Sequence, residues 1–130
     1  MSTNKFVIDS WAWVEYLNGT KSGSKVKERF DGGVEAYTHL VTLAELASRY
    51  NRAGKDPADP KRVVLTLSKI HVPSTDDAYD AGLTHSAIRK RSPNFSLADA
   101  FVLQAARKLR ATVITGDPDF RGIKEAEILG

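Results

Sequence analysis

The chain has 130 residues, 42% hydrophobic and 27% charged, the length and balance of one folded domain rather than of a disordered or fibrous chain. It contains no cysteine, which excludes a disulfide framework, a thiolate nucleophile, a zinc finger and an iron–sulfur cluster and suits a cytoplasmic location. No apolar run reaches the ~18 residues of a membrane helix, Met1 to Ser10 lacks the apolar centre of a signal peptide, and nineteen Lys and Arg against sixteen Asp and Glu leave +3, too little alone to mark a nucleic-acid binder.

Lys5-Phe6-Val7-Ile8 reads as a short apolar strand, and Asp9-Ser10 is placed to cap a helix over Trp11 to Asn18. Gly19 and Gly23 break that helix in this reading, and a more polar one from Ser24 to Phe30 ends at Gly32-Gly33. Val34 to Leu40, rich in β-branched and aromatic residues, predicts a second strand. Val41 to Ala53 follows as a helix with Leu43, Leu46, Ala47 and Tyr50 on one face, closed by Gly54. Beyond the turn-rich Asp56-Pro57-Ala58-Asp59-Pro60, the spacing of Val63, Val64, Leu67 and Ile70 predicts another helix, and His71-Val72-Pro73 a short strand. Thr75 to Arg91 is a long helix stopped by Pro93. Ser96 to Arg110 is another, with Leu97, Phe101, Ala105 and Leu109 at every fourth position. Ala111 to Thr115 is a strand of the buried type, and Ala126 to Leu129 a final edge strand. Strands alternating with crossovers this long predict a parallel sheet flanked by helices on both faces, an α/β/α sandwich in one domain over 1–130. Such sheets bind ligands at the carboxyl ends of their strands.

Four acids converge on that edge. Asp9 ends the first strand, Asp117 follows the strand Val113-Ile114-Thr115, and Glu45 and Asp99 lie near the starts of helices that follow strands or face the same side. Thr42-x-x-Glu45 and Ser96-x-x-Asp99 both have capping-box spacing, so either acid could serve its helix alone. Asp9 fits a plain N-cap, and Asp117 and Asp119 in Gly116-Asp117-Pro118-Asp119-Phe120 fit a turn. Together, however, the four would repel unless cations joined them. Oxygen-only donors select Mg²⁺ or Mn²⁺, which bridge carboxylates to substrate phosphates.

The segment from Phe6 to Leu17 resembles the opening of a PIN-domain protein. Val41-Thr42-Leu43-Ala44-Glu45-Leu46 is similar to the second acidic motif of that family, and Ser96-Leu97-Ala98-Asp99-Ala100 with Val113 to Phe120 to its third and fourth. Order, spacing and length fit the compact VapC-like toxin branch over essentially the whole chain. The resemblance implies a metal-dependent endoribonuclease, the toxin of a toxin–antitoxin pair, that cuts RNA to leave a 5′-phosphate. It implies Asp9 and Asp99 as direct metal ligands, Glu45 and Asp117 completing the acidic site, and Asp119 supporting it. Ser10 and Thr115 match small hydroxyl positions that orient a carboxylate or a water. Trp11 departs from the family, where a small Ser or Asn is common; its indole either narrows the pocket or stacks on a base.

Hydrolysis by metal-activated water needs no covalent nucleophile, and His39, His71 and His85 show no spacing of an acid–base pair. Arg49 and Arg52, one and two turns beyond Glu45, are candidates for phosphate contact, with Lys55, Lys61 and Arg62 nearby. Arg89-Lys90-Arg91 complement a helix C-terminus, and Arg107, Lys108 and Arg110 read as a solvated helix surface. Trp13, Tyr16 and Leu17 share one helical face and read as core or dimer packing. The resemblance further implies a homodimer and a separate antitoxin protein. Rival readings are a housekeeping RNA-processing nuclease, a non-catalytic RNA-associated module on the same fold, a haloacid-dehalogenase phosphatase and a receiver domain. The phosphatase needs an Asp where Trp11 stands, and the receiver an acidic pair after the first strand. Without Asp9, Glu45, Asp99 and Asp117 the charge is +7, a basic body around one acidic pocket.

Overall fold

The computed structural model describes residues 4–130. Met1 to Thr3, the beginning of the stretch read as lacking a leader's apolar centre, lie outside the described residues. The elements run β1 (Lys5–Ile8), α1 (Ser10–Leu17), α2 (Lys21–Phe30), β2 (Glu35–His39), α3 (Leu40–Arg52), α4 (Ala58–Leu67), β3 (Lys69–His71), α5 (Thr75–Arg89), α6 (Leu97–Leu109), β4 (Thr112–Thr115) and β5 (Ala126–Ile128). The strands form one sheet in the order β3-β2-β1-β4-β5, every pairing parallel. Strand order reverses beside β1, so the crevice for a ligand opens at the carboxyl ends of β1 and β4.

Alternation along the two central strands divides the core between the sheet's faces. Val7 and Val113 point into one cluster with Phe95, Leu103, Ala106 and Phe120. Ile8 and Ile114 point into the other with Trp13, Val26, Leu46 and Val64. Trp13 is fully buried, packs edge-on to Tyr16 and against Phe30, and donates its indole N–H to Thr38 Oγ1 at 3.0 Å. The face carrying Trp13 and Tyr16 is therefore core. No helix among the described residues is long and apolar enough to cross a membrane.

Three local expectations change. Gly23 does not break a helix; it lies buried inside α2, where a Cβ would fall 2.2 Å from the Glu15 carbonyl oxygen and 3.0 Å from Tyr16 Cα. Composition suggested a breaker, whereas the glycine serves close approach of α2 to α1. Gly23→Ala should therefore cost about 1–3 kcal/mol by forcing two backbones apart, read as a lower urea midpoint with unchanged slope. Ile70 belongs to β3 rather than to the preceding helix, because α4 ends at Leu67 and Ile70 pairs with Thr38. Pro73 and Val72 fall outside the strand.

The third change adds to the reading of Lys108, which is exposed as a solvated helix surface predicts but also pairs with a buried acid. Asp77 forms a capping box with Ser74, accepting its N–H at 2.9 Å and donating its own to Ser74 Oγ at 3.1 Å. The buried Asp77 carboxylate also accepts Gln104 Nε2 at 3.0 Å and Lys108 Nζ at 2.9 Å, tying α5 to α6. These bonds, the Ser74 N–H first, hold the Asp77 carboxyl well below the usual range. A lowered folded pKa contributes stability above the unfolded value and loses it as pH falls. Asp77→Ala should cost about 2–3 kcal/mol at neutral pH, and its deficit against the parent in urea titrations should shrink from about pH 5 to 2.

Candidate active site

Asp9 leaves β1 with extended backbone and caps α1, its Oδ1 accepting the Ala12 N–H at 2.9 Å. Its own N–H donates to the Ile114 carbonyl at 3.2 Å, so the residue is locked to β4. Only 6% of Asp9 is exposed. Burial pushes its carboxyl up to about 7; the Thr115 hydroxyl and Ala12 N–H pull it down, and the charges of Asp99 and Asp117 push it up again. A cap on an exposed helix end would feel neither neighbour.

Asp99 does form the expected capping box: the Ser96 N–H donates to its Oδ2 at 3.0 Å, and its N–H donates to Ser96 Oγ at 3.0 Å. That leaves the other carboxylate oxygen for the site. Its carboxyl is raised by burial, opposed by the Ser96 bonds and reinforced by Asp117 and Asp119. The Asp117 N–H donates to Thr115 Oγ1 at 3.0 Å, and Asp117 Oδ1 accepts the Asp119 N–H at 2.9 Å at the head of a short 3-10 turn. Asp119, expected to support the site, has its carboxyl raised by partial desolvation and by Asp117. One carboxylate oxygen from each of Asp99, Asp117 and Asp119 lies within 4.8 Å of the others. The turn chemistry that explains the Asp117–Asp119 sequence is real, and it brings both side chains into this trio.

Glu45 is not part of a capping box. The helix α3 starts at Leu40, earlier than the sequence suggested, because His39 caps it: His39 Nδ1 accepts the Val41 N–H at 2.9 Å. Thr42 thus falls inside the helix with its hydroxyl buried and unpartnered, and Glu45 is free to serve the edge. Partial desolvation raises its carboxyl, Asp99 raises it further, and the Ser10 hydroxyl lowers it. Glu45, Ser10, Arg49 and Arg52 line a cleft of about 400 Å³. Arg52 Nε reaches Ser48 at 3.3 Å. Of the neighbouring cations, Lys55 lies over the Tyr50 ring and Arg62 pairs with Asp59.

No histidine contributes to the raised pKa values of Asp9, Glu45, Asp99 or Asp119. His39 is 1% exposed and lies against His71 and Phe101. Burial and the nearby His71 press its pKa down to about 4, Asp77 opposing. With Nδ1 accepting, its proton is on Nε2, and the ring is a neutral cap rather than a proton carrier.

Five carboxylates therefore meet at the carboxyl edge from four distant stretches of chain. Among the described residues none of the five has an ion-pair partner. Acids crowded and partly dehydrated without a cation are held at a cost, which the raised pKa values of Asp9, Glu45, Asp99 and Asp119 record. An all-oxygen donor set of this kind fits a hard divalent cation and does not fit a soft, sulfur-seeking one.

The model of the PIN domain family matches residues 6–126. No curated protein sequence matches the chain. Among solved structures it is similar to VapBC2 of Rickettsia felis bound to a DNA fragment from its promoter, with 15% identity, TM-score 0.78, and 97% of this chain and 99% of that one covered. It is similar to Mycobacterium tuberculosis VapC20, described as a Sarcin-Ricin loop cleaving toxin, with 18% identity, TM-score 0.77, and coverage of 96% and 99%. A toxin–antitoxin complex from Klebsiella pneumoniae matches at 20% identity and TM-score 0.70, with 97% and 96% covered. At these identities the likeness is one of fold.

Proposed function

The chain belongs to the PIN domain family, and from that membership we propose that it is a Mg²⁺- or Mn²⁺-dependent endoribonuclease, the toxin of a toxin–antitoxin pair, in a single nuclease domain. The observation that carries this reading is the trio Asp99, Asp117 and Asp119, with oxygens within 4.8 Å, backed by buried Asp9 and by Glu45. We take the partner to be a separate antitoxin that offers a basic side chain to these acids, and the active form to be a homodimer.

In this reading Asp99 and Asp117 hold the cation with Asp9 and Glu45, and Asp119 stands within reach of it. When bound, such a cation lowers the pKa of a coordinated water and offsets charge on the attacked phosphate. The chain's own residues do the rest. Ser10 beside Glu45 and Thr115 beside Asp9 fix the carboxylates' orientation. Asp9 is almost wholly buried, so its carboxylate is held in place by the Ala12 N–H and by the surrounding fold rather than by water. Arg49 and Arg52, exposed on the cleft wall beside Glu45, draw the phosphate backbone toward the acids. No side chain is called on as a covalent nucleophile.

The test is incubation of purified protein with structured RNAs in Mg²⁺, in Mn²⁺ and in chelator, with end-group analysis of the products. Divalent-dependent cuts leaving 5′-phosphates are expected. Cutting that persists in chelator, or in the Asp9→Asn, Asp99→Asn double variant, would overturn the reading.

A further inference from the structure

Trp11 follows Asp9 by two residues in the first turn of α1, and its indole lies over Gly116, the residue before Asp117. A Cβ on Gly116 would fall 2.3 Å from both Cη2 and Cζ2 of Trp11 and 2.4 Å from Cε2. The ring thus rests on bare backbone, and only glycine permits the approach. It bridges the two segments that deliver Asp9 and Asp117 to the edge.

The other tryptophan shows the contrast. Trp13 is fully buried with its N–H committed to Thr38, whereas Trp11 packs against the edge of the same cluster and remains partly exposed. Among the described residues the aromatic pairings join Trp13, Tyr16 and Phe30, Phe95 and Phe120, and Phe101 with His39; Trp11 enters none of them. An indole already pinned from one side loses little freedom when a flat partner arrives on it. A nucleic-acid strand brings such partners, since every base has a π-face and stacking on aromatic side chains is tolerant of sequence.

We propose that Trp11, seated on the backbone of Gly116, is the platform on which an unpaired base beside the scissile phosphate stacks, making the enzyme prefer single-stranded RNA. This rests on the ribonuclease reading above. In a duplex both faces of a base are covered by its neighbours, so the indole has nothing to receive. A ring that merely propped Gly116 and Asp117 would matter equally for every substrate.

The experiment compares the parent with Trp11→Phe and Trp11→Leu. Binding is measured in Ca²⁺ to a single-stranded 12-mer built around a cut mapped with the parent enzyme, to versions with one abasic nucleotide on either side of that cut, and to the blunt duplex. Trp11→Leu should bind the 12-mer about 10-fold more weakly or worse, Trp11→Phe within about 3-fold, and both should bind the duplex as the parent does. One abasic position should abolish the difference between parent and Trp11→Leu. RNA should quench tryptophan fluorescence in the parent and not in Trp11→Phe, whose remaining Trp13 is buried. Equal binding of the 12-mer by parent and Trp11→Leu, or equal losses on intact and abasic strands, would overturn the proposal alone. A parent that cuts no RNA in Mg²⁺ or Mn²⁺ would overturn the ribonuclease reading and this proposal with it.

Discussion

Asp99→Asn should slow RNA cleavage by about 10²–10⁴-fold, the equivalent of several kcal/mol of transition-state charge stabilisation, while leaving the protein as stable as before. The two halves of this result follow from different atoms. One carboxylate oxygen of Asp99 serves the capping box with Ser96, and an Asn carbonyl accepts that N–H as well. The site loses a charged oxygen from the trio with Asp117 and Asp119. Removing that charge relieves repulsion that the metal-free site otherwise bears, which offsets the weaker cap. Single-turnover rates and urea midpoints measured on the same preparation check both halves. A rate within about 3-fold of the parent would remove Asp99 from the machinery.

Without divalent cations, the protein should lose stability as pH rises from about 4 to 7. Asp9 has an ordinary carboxyl value of 3.8 and a folded value of about 7. The folded state binds that proton more tightly, so its contribution is full below the unfolded value and is lost as pH climbs through the folded one. Raised values at Asp99 and Glu45 act in the same sense. Asp77 acts in the opposite sense, below its ordinary value. Asp9→Asn should flatten the slope between pH 4 and 7. Mg²⁺ should raise the melting temperature more at pH 7.5 than at pH 5, because ligands bind cations only when deprotonated. Melting curves across pH, in chelator and in Mg²⁺, measure all three effects. A parent and an Asp9→Asn variant with parallel profiles would show that Asp9 is not strained by ionisation.

What the sequence made legible was whatever is written locally. The buried strands around Val7 and Val113 announce themselves by apolar β-branched runs, and the parallel α/β/α order follows from crossover lengths alone. Asp9 as a cap and Ser96 with Asp99 as a capping box are short-range patterns, and both are present. The errors arise where a local pattern was overruled from a distance. Thr42 and Glu45 have the spacing of a box, but His39 caps the helix three residues before Thr42, held by its packing on His71 and Phe101. Gly23 looks like a stop and is a contact surface for Glu15. Lys108 is the solvent-facing charge it looks like, but its partner Asp77 is 31 residues away, beyond any periodicity. The seat of Trp11 on Gly116 is likewise invisible along the chain, since the two are joined only by the pairing of β1 with β4.

That pairing also sets a clock. Phe6, Val7 and Ile8 find their β4 partners Thr112, Val113 and Ile114 only after more than a hundred further residues have been made. At ~5–20 residues per second, that is on the order of 5–20 s of synthesis. Until then Asp9 has no Ile114 carbonyl to lock it, and Asp117 and Asp119 do not exist. On the ribonuclease reading the acidic edge is thus inert until the chain is nearly complete, and a chain cut off at Arg110 should be silent in any cleavage assay.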